Sequence, residues 1–211
     1  MIPAKEEWME ALAARHGAML QSRFSSATVA VCGLGGLGSN IAIALARADI
    51  GKLILIDFDR VDLSNLHRQQ YKANQIGRYK TEALAENLRE IAPYTGIETV
   101  TQRITEDNAC SLLMGADIVC EAFDQAEAKA MLVNAVLEQL PNAYLVAASG
   151  MAGLGTPNTI QTRNITKHFY LCGDGQSDAA DTIGLVAPRV MLCAAHQAQT
   201  VLRILAGEYE V

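Results

Sequence analysis

The stretch DFDRVDLSNLHRQQ, residues 57–70, concentrates side chains that can handle a polyphosphate. Arg68, and Lys80 beyond it, supply two cations, while Asn65 and Gln69 supply directional hydrogen-bond donors without adding charge. When a carboxylate attacks an α-phosphate, negative charge moves toward the leaving pyrophosphate, and cations and Mg²⁺ stabilise that movement. Hydride transfer makes no such demand on the phosphates. The cluster therefore favours nucleotidyl transfer over dehydrogenation.

A glycine-rich turn precedes this stretch. Gly33, Gly35 and Gly38 match the G-x-G-x-x-G spacing, between a segment that predicts a strand and one that predicts a helix. Such a turn lets the backbone approach a phosphate, and the helix N-terminus adds N–H donors. Asp57, at the end of the next predicted strand, can accept hydrogen bonds from ribose hydroxyls. The turn indicates a nucleotide without distinguishing NAD from ATP; the alternative is a turn needed only for helix–strand packing.

A further carboxylate, Asp124, follows the fourth predicted strand. The carboxyl ends of parallel strands share one edge of a sheet, which is where ligands bind in such folds. Asp124 is placed there to bind Mg²⁺, although a helix begins directly after it and the same residue could cap that helix. Taken singly, Arg68 and Lys80 could also be solvated surface charges. Their common position at this edge favours the functional interpretation.

The elements that must position these residues follow from the apolar pattern. Predicted strands at 27–33, 52–57, 96–101, 116–123 and 143–149 alternate with predicted helices at 35–51, 80–92, 105–114 and 125–139. This alternation predicts an α/β fold, a doubly wound, mostly parallel, Rossmann-like sheet. Residues 3–22 predict an N-terminal helix. Residues 159–163 and 168–172 predict a short strand extension, and 188–206 predict a closing helix.

Length and composition indicate one folded domain over residues 1–211. We divide it into an N-terminal helical segment (1–24), a nucleotide-binding core (25–150) and an extension (151–211). The net charge of −6 argues against a protein that binds nucleic acid through a general basic surface. No apolar run is long enough to span a membrane, and the N-terminus is a poor signal peptide, so we expect a cytoplasmic protein. The five cysteines form no C-x-x-C pair, so we expect no zinc site.

Five motifs together resemble those of the ubiquitin-activating-enzyme superfamily, and more narrowly its bacterial ThiF and MoeB type. They are GLGGLGS, DFDRVDLSNLHRQ, the lysine of IGRYK, the aspartate of EAFDQAEAK, and GLVAPRV. The resemblance covers about residues 10–207 and is strongest to a short ThiF-like variety that adenylylates the sulfur-carrier protein of thiamine biosynthesis, ThiS. It implies that this chain uses ATP and Mg²⁺ to adenylylate the C-terminal glycine of a small ubiquitin-like carrier ending in Gly-Gly.

The resemblance also implies residue roles. The phosphates would lie against Gly33, Gly35, Gly36 and Gly38; the ribose would be held by Asp57 with Asp59; the triphosphate would be contacted by Asn65, Arg68, Gln69 and Lys80; and Mg²⁺ would bind Asp124. Residues 151–211 would bind the carrier. Members of this type also donate an arginine from the N-terminal helix across a homodimer, and Arg15 is the best match, with Arg23 as the alternative.

The sequence departs from the family pattern at its cysteines. The two zinc-binding C-x-x-C pairs that many members carry are absent, and the loop before GLVAPRV lacks the cysteine used for sulfur transfer. Cys172, just upstream, is the one thiol placed to replace it, against the alternative of an inert thiol at a strand end. Three rival functions stay open: an NAD-dependent oxidoreductase, an enzyme activating a different substrate (a molybdopterin-type carrier or a modified tRNA base), and a non-catalytic nucleotide-binding partner.

Overall fold

The computed structural model describes residues 2–211. Its helices are α1 (Lys5–His16), α2 (Ala18–Ser26), α3 (Gly36–Arg47), α4 (Lys80–Ile91), α5 (Glu106–Leu113), α6 (Ala126–Gln139) and α7 (Ala187–Ala206). Its strands are β1 (Thr28–Cys32), β2 (Lys52–Ile56), β3 (Gly96–Val100), β4 (Ile118–Glu121), β5 (Tyr144–Ala148), β6 (Gln161–Thr166) and β7 (Phe169–Gly173).

The strands form one sheet in the order β3-β2-β1-β4-β5-β7-β6. All neighbouring pairs are parallel except β6 and β7, which form an antiparallel hairpin at the edge. The predicted doubly wound α/β fold with a strand extension is confirmed. The strand order reverses direction between β1 and β4, and folds of this kind bind ligands at that reversal.

Each face of the sheet is covered by helices. Along β1, Val29 and Val31 belong to one apolar core, and Ala30 and Cys32 belong to the other, as the two-residue period of a strand requires. Helices α3, α4 and α7 cover the first face, and α5 and α6 cover the second. Burial on both faces explains why the central strands are continuous apolar runs. It also leaves polar side chains concentrated at the strand ends.

The N-terminal segment differs from the single helix predicted over 3–22. The chain breaks at Gly17, whose φ of +85° is favourable for glycine alone among common residues, and a second helix continues to Ser26. None of the residues of α1 is buried. Helix α1 is attached to the rest of the protein by surface contacts with Tyr94. Trp8 packs edge-to-face on the Tyr94 ring, and the Tyr94 hydroxyl donates to the carbonyl of Pro3.

Helix α7 follows the predicted range closely. It begins with Pro188 in its first turn and ends at Gly207, which takes the left-handed conformation at φ +82°. Within residues 2–211, none of the helices has the length and apolar character needed to cross a membrane.

Candidate functional site

The glycine turn between β1 and α3 requires its glycines. Gly33 has a φ of +88°, and a Cβ there would lie 2.8 Å from the carbonyl oxygen of Ala122. A Cβ on Gly38 would lie 1.8 Å from the carbonyl oxygen of Gly33. Around Gly35, by contrast, the nearest atom to such a Cβ is Gln69 Nε2 at 3.8 Å. The turn is thus packed against β4 on one side and open beside Gly35, where a phosphate can approach the backbone.

Asp57 holds this turn from the end of β2. Its two carboxylate oxygens accept hydrogen bonds from the N–H of Leu34 at 2.6 Å and of Asp59 at 2.7 Å. Burial raises the pKa of Asp57, and the nearby Lys80 ammonium opposes that rise. Lys80 Nζ lies 3.8 Å from Asp57 and 3.0 Å from Asp59. The predicted residues Asp57, Asp59 and Lys80 therefore form one charged group beside the glycine turn.

Tyr71, which sequence reasoning did not single out, completes the clamp on the turn. Its buried hydroxyl donates to the carbonyl oxygen of Leu34 at 2.7 Å, so both backbone groups of Leu34 are held by side chains. Burial raises the pKa of Tyr71, and the charges of Asp57 and Asp59 raise it further. The phenol therefore stays protonated and remains a donor.

Arg68 and Gln69 face the open side of the turn with unused polar atoms. Arg68 Nη2 donates to Asn65 Oδ1 at 3.0 Å, but Arg68 Nε and Gln69 Oε1 are buried without a partner in residues 2–211. Buried polar groups in native proteins are normally satisfied, so a polar ligand beside Gly35 would supply partners for these two atoms. Burial lowers the pKa of Arg68, and the negative charge of Asp124 opposes that lowering. Arg68 and Asp124 are therefore close enough to interact.

Asp124 lies on an exposed turn after β4 that a buried ion pair positions. Glu121 Oε1 accepts a hydrogen bond from Phe123 N at 2.7 Å, and Lys129 Nζ lies 3.0 Å from both Glu121 oxygens. Lys129 also donates to the carbonyl of Ala148 at the end of β5. Burial raises the pKa of Glu121, and Lys129 opposes that rise. Glu121 and Lys129 stand on either side of the start of α6 in the sequence. Their role could not be predicted, because it depends on the position of the end of β5, which the sequence pattern does not give.

A groove of about 860 Å³ lies between the loop at 152–159 and the loop at 174–183. Arg189, in the first turn of α7, lines its floor. The next residue, Val190, packs so closely on Gly36 that a Cβ added to that glycine would lie 2.9 Å from Val190 Cγ1. His67, to which the sequence assigned no role, has Nε2 within 3.1 Å of the Leu185 carbonyl oxygen. The groove therefore adjoins the glycine turn and the 57–70 stretch.

The ThiF family model matches residues 9–211 of this chain. The chain belongs to the ThiF family. The predicted resemblance to the ubiquitin-activating-enzyme superfamily, of the ThiF and MoeB type, is confirmed.

Relatives of this ThiF-family chain fall in several groups. The adenylyltransferase and sulfurtransferase UBA4 of Lodderomyces elongisporus is 30% identical over 196 residues, covering 90% of this chain and 42% of that protein. Ubiquitin-like modifier-activating enzyme 5 of Drosophila pseudoobscura pseudoobscura is 39% identical over 129 residues, covering 56% and 32%. The tRNA threonylcarbamoyladenosine dehydratase of Escherichia coli is 35% identical over 147 residues, covering 68% and 54%. This chain spans about half the length of these relatives or less.

The fold of the ThiF-family chain is shared with a solved structure of E. coli tRNA N6-threonylcarbamoyladenosine dehydratase in complex with ATP. The TM-score is 0.86 at 23% identity, over 99% of this chain and 98% of that one. At this level of identity the likeness shows the fold.

The arginines expected to act across a homodimer lie away from the site in their own chain. Arg23 donates to the carbonyl of Ala206 at the end of α7, whereas Val190 at the start of that helix contacts the glycine turn. At about 1.5 Å of rise per residue, these two positions on α7 are about 24 Å apart. Arg15 is exposed on α1, beside His16, which lines a cavity at that same distant end with Ala206. Neither arginine reaches the site of its own chain.

Cys172 lies in the interior near the end of β7, which agrees with the alternative of an inert thiol at a strand end and not with the candidate sulfur-transfer role. It is 0% exposed in the core under α7, with Thr162 Oγ1 at 3.6 Å from its sulfur. Burial raises the pKa of Cys172, and contacts with Thr162 and Thr200 oppose that rise. A buried, protonated thiol is a poor nucleophile. The position does not support sulfur transfer on Cys172.

Proposed function

We propose that this ThiF-family chain is an adenylyltransferase that joins AMP from MgATP to the C-terminal glycine of a ubiquitin-like sulfur carrier, of the ThiS kind used in making the thiazole of thiamine. One observation carries the proposal: the charged group of Asp57, Asp59 and Lys80, together with Arg68, borders an open glycine turn that adjoins the groove, and the charge of Asp124 acts on Arg68. The relatives named for adenylyl transfer and for activation of a ubiquitin-like modifier support it.

The residues present fit the nucleotide. Open backbone beside Gly35 would receive the phosphates, and the unpartnered Arg68 Nε would donate to one of their oxygens. Asp57, whose carboxylate also holds the turn, would accept from the ribose together with Asp59, and Asn65 and Gln69 would contact the triphosphate. Gly33, Gly36 and Gly38 allow the turn to come close.

The residues also fit Mg²⁺ in the way that enzymes acting on ATP usually hold it. No three His, Cys, Asp or Glu side chains converge as a metal site in the part of the chain that the structure describes. Asp124, the exposed carboxylate whose charge acts on Arg68, would be the protein ligand, with phosphate oxygens and water completing the shell. Bound there, the ion would neutralise charge on the departing pyrophosphate. Glu121 and Lys129 hold the turn that presents Asp124.

The reaction then needs positioning and charge stabilisation more than proton transfer. An oxygen of the glycine carboxylate forms a bond to the α-phosphorus, and the bond from that phosphorus to the bridging oxygen of pyrophosphate breaks. The carboxylate is already ionised at neutral pH, so no general base is required. Arg68 and Lys80 stabilise the charge that accumulates on the leaving group. The loop at 152–155, Ala-Gly-Leu-Gly, leaves room for an extended Gly-Gly tail.

The N-terminal helix supports a dimeric form of this proposal. Arg15 is exposed on a helix without buried residues, and it cannot reach the site of its own chain. In a homodimer it would reach the triphosphate of the partner subunit. A protein of this kind works in the cytoplasm, where ATP is available.

A second candidate substrate is a modified tRNA base. It is favoured by the likeness to the tRNA threonylcarbamoyladenosine dehydratase, which covers more than two thirds of this chain. The net charge of −6 opposes it, because tRNA binding draws on an excess of cations. The carrier is therefore the first choice.

Carrier-dependent exchange of pyrophosphate into ATP tests the proposal. We expect exchange with a purified ThiS-type carrier ending in Gly-Gly, dependence on Mg²⁺, and none with a carrier lacking its tail. Arg68→Ala and Asp124→Ala should reduce exchange by at least about a hundredfold. Arg60→Ala is the matched control, since Arg60 belongs to the same stretch but stacks on Tyr79 at 3.8 Å. Exchange that is driven by a carrier lacking its Gly-Gly tail, or by tRNA alone, would contradict the assignment.

A further inference from the structure

All the hydrogen-bond donors of the Arg189 side chain have acceptors within the protein. Nε donates to the carbonyl of Ala152, and Nη1 donates to the carbonyls of Gly155 and Thr156, at 2.9–3.1 Å. Nη2 donates to Thr159 Oγ1 at 3.0 Å and to Asp174 at 2.6 Å. A guanidinium has five N–H donors in a rigid planar fork, so this set is complete.

The acceptors of that fork belong to both walls of the groove. The three carbonyls and Thr159 come from the loop at 152–159, and Asp174 comes from the opposite loop. Asp174 is itself fixed, since its Oδ1 accepts from Gln176 N and Ser177 N at 2.8–2.9 Å. Ser177 Oγ then accepts from Ala152 N at 3.0 Å, which closes a ring between the walls. Arg189 is therefore the common support of the two loops.

Turning the carbonyls toward Arg189 leaves N–H groups free on the same wall. The backbone N–H groups of Leu154, Gly155 and Thr156 have no acceptor in residues 2–211, and all three residues are exposed. An extended peptide can be recognised by main-chain hydrogen bonds to such a row of donors, without any need for its own side chains. A chain ending in glycines offers only its backbone carbonyls to this wall.

We propose that Arg189 is a positioning residue for the carboxyl-terminal tail of the substrate, because it fixes the Leu154–Thr156 segment, which lines the groove and has free N–H groups. This inference rests on the proposed function for the identity of the tail. Arg189 does not touch the reacting atoms; it acts through the loop. A buried ion pair is weak evidence for stability, since apolar residues of similar volume can often replace one. An apolar residue in place of Arg189 could preserve stability, but it would not hold the loop at 152–159 in this geometry.

Substitution of Arg189 by lysine tests the role, since lysine keeps the charge but loses the fork. We expect Arg189→Lys to raise the KM for a ThiS-type carrier about tenfold or more, to change kcat less than about threefold, and to leave the Kd for ATP within about twofold. Arg203→Lys is the control on the same helix, where the arginine pairs with Glu208 at 2.8 Å away from the groove. It should change none of these values.

A gentler variant covers the case in which Arg189→Lys fails to fold. A Cβ on Gly155 would lie 3.2 Å from Arg189 Nη2, so Gly155→Ala should displace the fork and raise the carrier KM in the same direction. A folded variant of either kind with an unchanged carrier KM would overturn the role. A loss of ATP affinity as large as the loss of carrier affinity would overturn it as well, because the effect would then be general.

Direct binding of a fluorescein-labelled synthetic peptide ending in Gly-Gly separates this inference from the proposed function. Peptide binding that weakens about tenfold in Arg189→Lys, in a protein without carrier-dependent exchange, would uphold the tail site and refute the adenylyltransferase. Carrier-dependent exchange with equal KM in wild type and Arg189→Lys would refute the role of Arg189 alone. Absence of both exchange and peptide binding would refute the two together.

Discussion

Replacing Lys129 by methionine removes the only cation that contacts the buried Glu121 carboxylate among residues 2–211. Glu121 is 1% exposed, and a buried charge left without its partner usually costs about 3–5 kcal/mol. Lys129 is 25% exposed, so water can enter part of the vacated space, and Phe123 N still donates to Glu121. We therefore expect Lys129→Met to lower the free energy of unfolding by roughly 2–4 kcal/mol. That is a large part of the roughly 5–15 kcal/mol typical of a folded domain.

The loss should depend on pH in a definite direction. Burial raises the pKa of Glu121 above the ordinary value of 4.5, and Lys129 opposes that rise in the wild type. Without Lys129 the folded pKa rises further, so the folded state keeps a proton that the unfolded state releases. Stability then falls as pH rises from the unfolded value through the folded value. The defect of Lys129→Met should be smaller near about pH 5 than near about pH 8.

Urea unfolding at these two pH values measures the effect, with Glu121→Gln/Lys129→Met as the matched control. The double variant has no buried charge that lacks a partner. The amide of the new glutamine at position 121 can donate to the Ala148 carbonyl that Lys129 no longer contacts, so most of the stability should return. A Lys129→Met protein within about 0.5 kcal/mol of wild type at both pH values would refute this account of the pair. So would a double variant no more stable than Lys129→Met.

Three further outcomes follow from the site. Tyr71→Phe leaves the Leu34 carbonyl without its donor, so it should lower stability by about 1–3 kcal/mol in urea unfolding and weaken ATP binding in calorimetry. Burial would raise the pKa of Asp174, but hydrogen bonds from the N–H groups of its own loop outweigh burial and lower the pKa from 3.8 to about 2. The ionised Asp174 therefore stabilises the fold above about pH 4, and this stabilisation is lost toward about pH 2. Asp174→Asn should be less stable than wild type at neutral pH and equally stable in acid, as measured by urea unfolding. Limited alkylation of the native protein, read by mass spectrometry, should modify the partly exposed Cys110 before the buried Cys172, and fast modification of Cys172 would restore it as a sulfur-transfer thiol.

The fold and the nucleotide turn were predictable because their causes are local in sequence. Doubly buried strands read as apolar runs, and glycines at fixed offsets were needed where backbone atoms approach within contact distance, as Gly38 does to Gly33. The polar stretch at 57–70 carries its chemistry in residue types, so Arg68 and Lys80 could be chosen before their neighbours were known. The break at Gly17 was missed because helical composition continues on both sides of it.

The supporting residues were not predictable for a physical reason. Tyr71, Glu121 and Lys129 act through contacts with strand ends and turns that are distant in the chain, and each residue type is ordinary where it stands. Arg189 belongs to the GLVAPRV motif, but its five acceptors lie between 15 and 37 residues away. Cys172 was placed at the end of a strand, while the packing of α7 over that end decides its burial. The sequence pattern predicts which residues alternate along a strand, but it does not predict which helix packs over the end of that strand.

The first turn of α7 has a thermodynamic consequence. Adjacent residues there face different tasks: Arg189 supports the groove, and Val190 rests on Gly36 in the glycine turn. The two contacts lie side by side on one helix turn, so a tail that orders the loop and a nucleotide at the glycine turn share one coupling free energy, which is separate from the Kd of either ligand alone. Linkage then makes the coupling mutual: whatever factor a nucleotide adds to the affinity for a tail, the tail must add to the affinity for the nucleotide. Equal and reciprocal enhancement of the two affinities is the pattern that this shared turn predicts.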